Sequence, residues 1–183
     1  MSEYVARAYR KSDDADLQAI LDEQMSRDST WPSPWVRDWG NIAQWLKEET
    51  DLGRWIAMDK NSTVLAHVGL QAIRGEADSE KWTNLLGYDS IRIGKIGKLI
   101  VHPDFRREGL SLLVTRCCVR QTVERGLIPV ATAYKESKAS IEMMTRVGWT
   151  IVGSNRTRRS KRLIVNLIPP QKLIDAALKV KAD

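Results

Sequence analysis

The chain has 183 residues, 43% of them hydrophobic and 28% charged, and 29 Lys and Arg against 23 Asp and Glu leave a net charge of +6. That length and balance predict a single globular domain over residues 1–183 and exclude wholesale disorder. No apolar run approaches the ~20 residues of a membrane span, and the first residues lack an apolar signal-peptide core, so a cytoplasmic protein that does not engage membranes is expected.

A first strand is predicted over Tyr4–Tyr9. Lys11-Ser-Asp-Asp14 then leads into a helix to about Met25, marked by Leu17, Ile20 and Leu21 on one face. Ser29–Trp35 is a loop with two prolines. Pro34 stands near a second helix start, with Trp35, Trp39, Ile42 and Leu46 on one face. Arg54–Met58 and Thr63–Ile73 read as an antiparallel hairpin across the polar turn Asp59–Ser62. Residues 75–90 break the strand pattern and read as an inserted loop or short helix. Ile91–Val101 is the next strand.

Gly109–Arg125 is the longest predicted helix, with an apolar stripe of Leu110, Leu113, Val114 and Cys117 and a stop at Gly126. Cys117 and Cys118 are adjacent on it, too close to staple distant segments or to ligate a metal, and read as buried thiols in a reducing compartment. No metal site is expected. The chain continues with a strand at Leu127–Ala133, a helix at Ser137–Val147 ended by Gly148, strands at Trp149–Val152 and Leu163–Ile168, and a helix at Leu173–Val180. Pro129 leaves one ladder bond of its strand unmade. The order is β-α-α-β-β-β-α-β-α-β-β-α, a mixed α/β fold.

The chemistry concentrates at Leu99–Leu112. A strand ends at Val101, Pro103 forces an exit, and a short turn opens a helix at Gly109. The first turn of a helix has backbone N–H groups without internal partners. With the positive end of the helix dipole they form an anion site suited to a pyrophosphate. Gly109 permits close approach and the small Ser111 avoids a clash. An ordinary strand-to-helix connection is the other reading of the same residues.

Val101-His102-Pro103 followed by Arg106-Arg107-Glu108-Gly109-Leu110-Ser111 resembles the motif of the GNAT superfamily of N-acetyltransferases, Gln/Arg-x-x-Gly-x-Gly/Ala after a Val-x-Pro strand exit. Ser111 departs from Gly or Ala at the last position and is still small. The element order matches over nearly the whole chain. The resemblance implies one mostly antiparallel mixed sheet, with a V-shaped splay between the fourth and fifth strands and helices on both faces. It implies that the turn around Arg106, and in particular the backbone amides of Arg107, Glu108, Gly109, Leu110, Ser111 and Leu112, hold the pyrophosphate of acetyl-CoA. Leu99, Ile100 and Val101 would line the pantetheine arm, with a strand amide there meeting the thioester carbonyl. Ser137 falls at the family's CoA-touching Asn. Met144 stands where the family often has a tyrosine acid, and methionine has no proton to donate.

The strand Ile91–Val101 holds no carboxylate to serve as base, and Thr132 stands where some relatives place one on the fifth strand. Tyr134 is the substitute acid nearest in sequence, with packing at a strand end as its other reading; His102 reads as a turn residue rather than a base. Two functions follow: an acetyl-CoA-dependent N-acyltransferase acting by direct attack of an amine on the thioester, and a catalytically impaired module of the same fold that binds CoA, protein or RNA without turnover.

The acceptor, an amine of unknown class, would meet the early helices and the last hairpin. Trp31, Trp35, Trp39 and Trp45 cluster in the former, as core or as a stacking surface. Five basic residues lie among positions 156–162 in the latter, as a solvated turn or as a site for an anionic acceptor: an acidic protein, a phosphorylated metabolite or tRNA. A homodimer is compatible with the resemblance.

Overall fold

The computed structural model describes residues 4–28, 52–156 and 161–180. The predicted second helix with Trp31, Trp35, Trp39 and Trp45, and positions 157–160 of the basic run, lie outside the described residues. Seven strands join in one sheet: β1 (Val5–Ala8), β2 (Gly53–Met58), β3 (Val64–Ala72), β4 (Ile93–Val101), β5 (Ile128–Tyr134), β6 (Thr150–Arg156) and β7 (Leu163–Ile168), in the order β1-β2-β3-β4-β5-β7-β6. Five α-helices are described: α1 (Asp14–Arg27), α2 (Glu76–Leu86), α3 (Leu110–Glu124), α4 (Lys138–Arg146) and α5 (Gln171–Lys179). The sheet is mixed. β1/β2, β5/β7 and β6/β7 are antiparallel, and β4/β5 is parallel, with α3 in the long crossover that a parallel pair needs.

The chain forms two compact units, residues 1–69 with 98–118 and residues 70–97 with 119–183. In the first, α1 lays Leu17, Ile20 and Leu21 on Ile56 of β2, Val64 of β3 and Ile100 of β4, with Tyr9, Met25 and Met58 at the edge. Each such aliphatic residue removed from water contributes roughly 1.5–3 kcal/mol, which is what orders a helix this polar. The β2–β3 hairpin turns where Asp59 accepts from the backbone N–H groups of Asn61 and Thr63, both at 2.9 Å.

In the second unit, Trp82 of α2 is fully buried against Ile93 and Val130. α5 adds Ile174 and Ala177 against Ile128. The parallel ladder pairs Ile93–Ile96 with Ile128–Ala131 and ends there, although β5 continues to Tyr134.

Four local expectations are settled or changed. The 75–90 segment contains a full helix, α2, closed by Gly87, whose N–H donates to the Thr83 carbonyl at 2.7 Å. A 3-10 turn at Ser90–Arg92, capped by the Asp89 side chain, delays β4 to Ile93. β6 runs on to Arg156, because its ladder with β7 continues through Asn155↔Ile164 and Arg156↔Leu163 beyond an irregularity at Ile151/Gly153. On α3 the fully buried line is Leu110, Val114 and Cys118, one residue round from the predicted Leu113 and Cys117, which are half-buried.

Candidate active site

In the first unit, β4 ends at Val101 and the chain enters a 3-10 turn, Pro103–Phe105. His102 caps it: its Nδ1 accepts the Asp104 N–H at 3.3 Å, and its ring meets Phe105 edge-on at 5.3 Å. The imidazole is thus occupied as a turn residue. Arg106 is extended, Arg107 is left-handed at φ +72, and Gly109 is left-handed at φ +81. A lysine or arginine resists that region and a glycine does not, so the turn is bent twice within three residues and α3 begins at Leu110.

Leu110 is 1% exposed and pins the helix start into the core, while residues 106–109 remain exposed. The first intrahelical bond is Leu113 N–H to the Gly109 carbonyl, 3.0 Å. The N–H groups of Leu110, Ser111 and Leu112 therefore precede the helix ladder. Among the described residues, a Cβ built on Gly109 would have nothing within 4 Å, so they leave the space over the turn open. Open space, a concentration of N–H groups and a helix dipole fit a phosphate group.

The turn is braced from α1. Arg27 holds the Asp104 carboxylate with bonds of 2.6 and 3.2 Å and also binds Glu23 at 2.5 Å. The Arg106 guanidinium donates to the side-chain oxygen of Gln24, and Glu108 accepts the Tyr4 hydroxyl at 2.7 Å. The hydrogen-bonded Arg27 guanidinium holds the Asp104 carboxyl below its ordinary range. Of the residues predicted to line the arm, Ile100 turns into the core with α1, and Leu99 and Val101 are half-buried. Gln24 and Arg27 gave no signal in sequence, since nothing in a helix pattern tells which loop its polar face will touch.

In the second unit, Tyr134 closes β5 with the Arg162 guanidinium 3.9 Å over its ring. Arg162 also pairs with Glu136 at 3.6 Å. Ser137 opens α4, its N–H donating to the Tyr134 carbonyl at 2.8 Å, and its hydroxyl makes no capping bond. Met144, which stands where the resemblance implies a tyrosine, is 5% exposed, and its carbonyl accepts the N–H of Trp149 at 3.1 Å. Thr132 lies opposite Asn166 in the β5/β7 ladder. Arg156 is exposed and donates to the Lys161 carbonyl at 2.9 Å. Among the described residues no cluster of His, Cys, Asp and Glu could hold a metal ion, and no helix is long and apolar enough to cross a membrane.

Residues 85–159 match the family model of FR47-like proteins. No curated protein matches the chain. Among solved structures it is similar to the ribosomal-protein-S18-alanine N-acetyltransferase of Escherichia coli, at a TM-score of 0.63 and 12% identity, covering 91% of this chain and 93% of that one. It is similar to yncA of Salmonella typhimurium, solved with its cofactor acetyl-CoA, at 0.64 and 16%, covering 91% and 92%. A GCN5-related N-acetyltransferase of Kribbella flavida gives 0.65 and 10%, covering 92% and 98%.

Proposed function

Starting from a chain that has the GNAT fold, we propose that residues 1–183 form one acetyl-CoA-dependent N-acyltransferase domain, cytoplasmic, which moves an acetyl group to an amine. One observation carries this reading: the open turn from Arg106 to Gly109 that delivers the N–H groups at the head of α3 to unfilled space. Backbone amides of Arg107 to Leu112 hold the pyrophosphate, with Arg106 at its edge. Leu99 and Val101 border the pantetheine arm, Ile100 fixes their strand to the core, and Ser137 is a second CoA contact.

The amine nitrogen bonds to the acetyl carbon, the carbon–sulfur bond breaks, and the thiolate takes up a proton. A fixed N–H aimed at the carbonyl oxygen lowers the barrier by about 3 kcal/mol. An amine with pKa near ~10 must lose its proton before attack, and neither β4 nor β5 carries a carboxylate to receive it. Proximity and solvent therefore carry more of the catalysis here than a dedicated base. Tyr134 is the proposed acid toward the leaving sulfur. An acceptor with negative charge beside its amine suits Arg156 and Arg162 at the β6–β7 end.

A burial observation favours a second reading. Met144 fills the tyrosine position as a core residue, which suits a module that binds CoA without turnover. Calorimetry with CoA, run beside a thiol-release screen of acetyl-CoA against amines, peptides and aminoacyl-tRNA, separates the readings. Binding with thiol release supports the enzyme, and binding with no release for any acceptor supports the module. Absence of CoA binding defeats both.

A further inference from the structure

One buried group is left without a role by the packing and by the chemistry above. His67 sits in the middle of β3, a strand buried along nearly its whole length, and is 0% exposed. Its Nδ1 lies 3.0 Å from the carbonyl oxygen of Lys98 on β4. A carbonyl oxygen only accepts, so Nδ1 carries the ring proton and Nε2 is the bare acceptor. Nε2 is buried and has no partner among the described residues. A leucine would pack in this strand without burying an unsatisfied nitrogen, so the imidazole needs a reason that packing does not supply.

Lys98 provides one. Its φ of +53 is left-handed, although it lies inside a strand and is not a glycine. Such a conformation persists only where the surroundings hold it. A left-handed residue in a strand rotates the peptide plane that follows it, and His67 grips that plane by its oxygen. The Lys98–Leu99 peptide is planar, with C=O and N–H pointing in opposite directions. Fixing the carbonyl toward His67 therefore fixes the Leu99 N–H away from it.

We infer that His67 is a positioning residue, whose Nδ1–H clamps the Lys98–Leu99 peptide so that the Leu99 N–H is aimed at the thioester carbonyl oxygen of the acyl donor. This rests on the acyltransferase reading, which places Leu99–Val101 along the donor, and narrows it to one amide and its support. No proton leaves the imidazole. Burial is the main cause that pushes its pKa down to about 4, so the ring stays neutral and its donor stays in place across the neutral range.

The test uses CoA as the control, because CoA lacks the carbonyl. Labelling lysine with carbonyl 13C and leucine with 15N selects the two leucine amides that follow a lysine, Leu99 and Leu173. In the wild-type protein the Leu99 amide proton is expected to move downfield with acetyl-CoA and not with CoA. His67→Leu is expected to abolish that difference and to slow thiol release from acetyl-CoA about tenfold or more, with CoA affinity kept within about threefold. His67→Asn, whose amide nitrogen can replace Nδ1, is expected to restore both.

Equal responses of Leu99 to the two ligands in the wild type overturn the inference, as does a folded His67→Leu that keeps the acetyl-CoA-specific shift. Should His67→Leu fail to fold, the wild-type comparison and the Asn variant still decide. Absence of binding by either ligand overturns the acyltransferase reading itself, a result visible before any variant is made.

Discussion

Arg27 on α1 and Asp104 in the turn after β4 are joined by two hydrogen bonds across 77 residues of sequence, at 2.6 and 3.2 Å. Both side chains are about half exposed, 48% and 55%, so the pair is screened by salt and contributes little to overall stability. Its place matters more than its strength. Together with the Arg106–Gln24 bond it sets the turn against a helix whose inner face is locked in the core. Arg27→Ala is therefore expected to leave the melting temperature nearly unchanged and to weaken acetyl-CoA about threefold at low ionic strength, less at high salt. A calorimetric titration at two salt concentrations checks it; unchanged affinity at low salt removes the brace from the account.

Gly109 separates strain from space. With φ at +81 and nothing among the described residues within 4 Å of a built Cβ, Gly109→Ala adds no clash with them and costs about 1–2 kcal/mol through the left-handed backbone alone. Ligand affinity should then change less than stability does. Gly109→Arg carries the same backbone cost and also fills the open space, so CoA affinity should fall more than tenfold while the circular dichroism spectrum stays native. If the arginine variant binds CoA like the wild type, the phosphate does not lie over this turn.

Asp13 is a stability prediction. It is 5% exposed and accepts two bonds from Arg7, at 2.7 and 2.8 Å, and one from the Arg10 N–H at 2.7 Å. The Arg7 bonds are the main reason its carboxyl titrates below the usual value of 3.8. A depressed carboxyl stabilises the folded chain above the unfolded pKa, and the contribution is lost as pH falls through the folded one. Asp13→Asn should cost about 2 kcal/mol at neutral pH, because Arg7 loses its charged partner. The Arg7→Met, Asp13→Leu double variant should recover part of that in urea melts. A double variant no better than Asp13→Asn would show that the pair itself, not its desolvation, sets the stability.

What could be read from the sequence follows how local each signal is. Pro103, Gly109 and the apolar line of α3 lie within one stretch, so the turn and its helix were legible together. The parallel pair β4/β5 is compatible with the long helix read between its two strands, which supplies the crossover. α2 was legible only as one of two readings, an inserted loop or a short helix: its N-terminal cap is Gly75, without a capping side chain, and Trp82, its sole fully buried residue, finds its partners on β4 and β5. β6 was read short because Gly153, Ser154 and Asn155 are poor strand formers, and only the partner strand β7 holds them extended. The His67–Lys98 contact spans 31 residues and depends on a left-handed lysine, which no residue pattern announces.

Tyr134 can be tested by removing one atom. The Arg162 guanidinium lies over the ring face, so Tyr134→Phe keeps that stack and deletes only the hydroxyl. If the hydroxyl protonates the leaving sulfur, kcat should fall about 10- to 100-fold with acetyl-CoA affinity unchanged. Equal kcat would leave the thiolate to take its proton from water and return Tyr134 to a packing role. A rise in KM alone would place it among binding contacts instead.

His67 also predicts how stability depends on pH. Its ordinary pKa of 6.5 applies in the unfolded chain, and burial lowers it to about 4 in the folded one, against the opposing bond to Lys98. Above pH 6.5 neither state binds the proton and His67 contributes nothing to the slope. Between 6.5 and 4 the unfolded chain takes up a proton that the folded chain refuses, so unfolding becomes easier as pH falls. The loss is about 2 kcal/mol by pH 5 and levels off near 3 below pH 4. Asp13, Asp78 and Asp104, whose carboxyls are all held below 3.8, add their losses only at lower pH. Urea melts at pH 7, 6 and 5 should thus show a decline that His67→Asn flattens, whatever that variant's stability at pH 7. A decline of equal slope in the variant would mean that His67 protonates in the folded protein as readily as in the unfolded one, and that its ring is not the fixed neutral donor the Lys98 carbonyl requires.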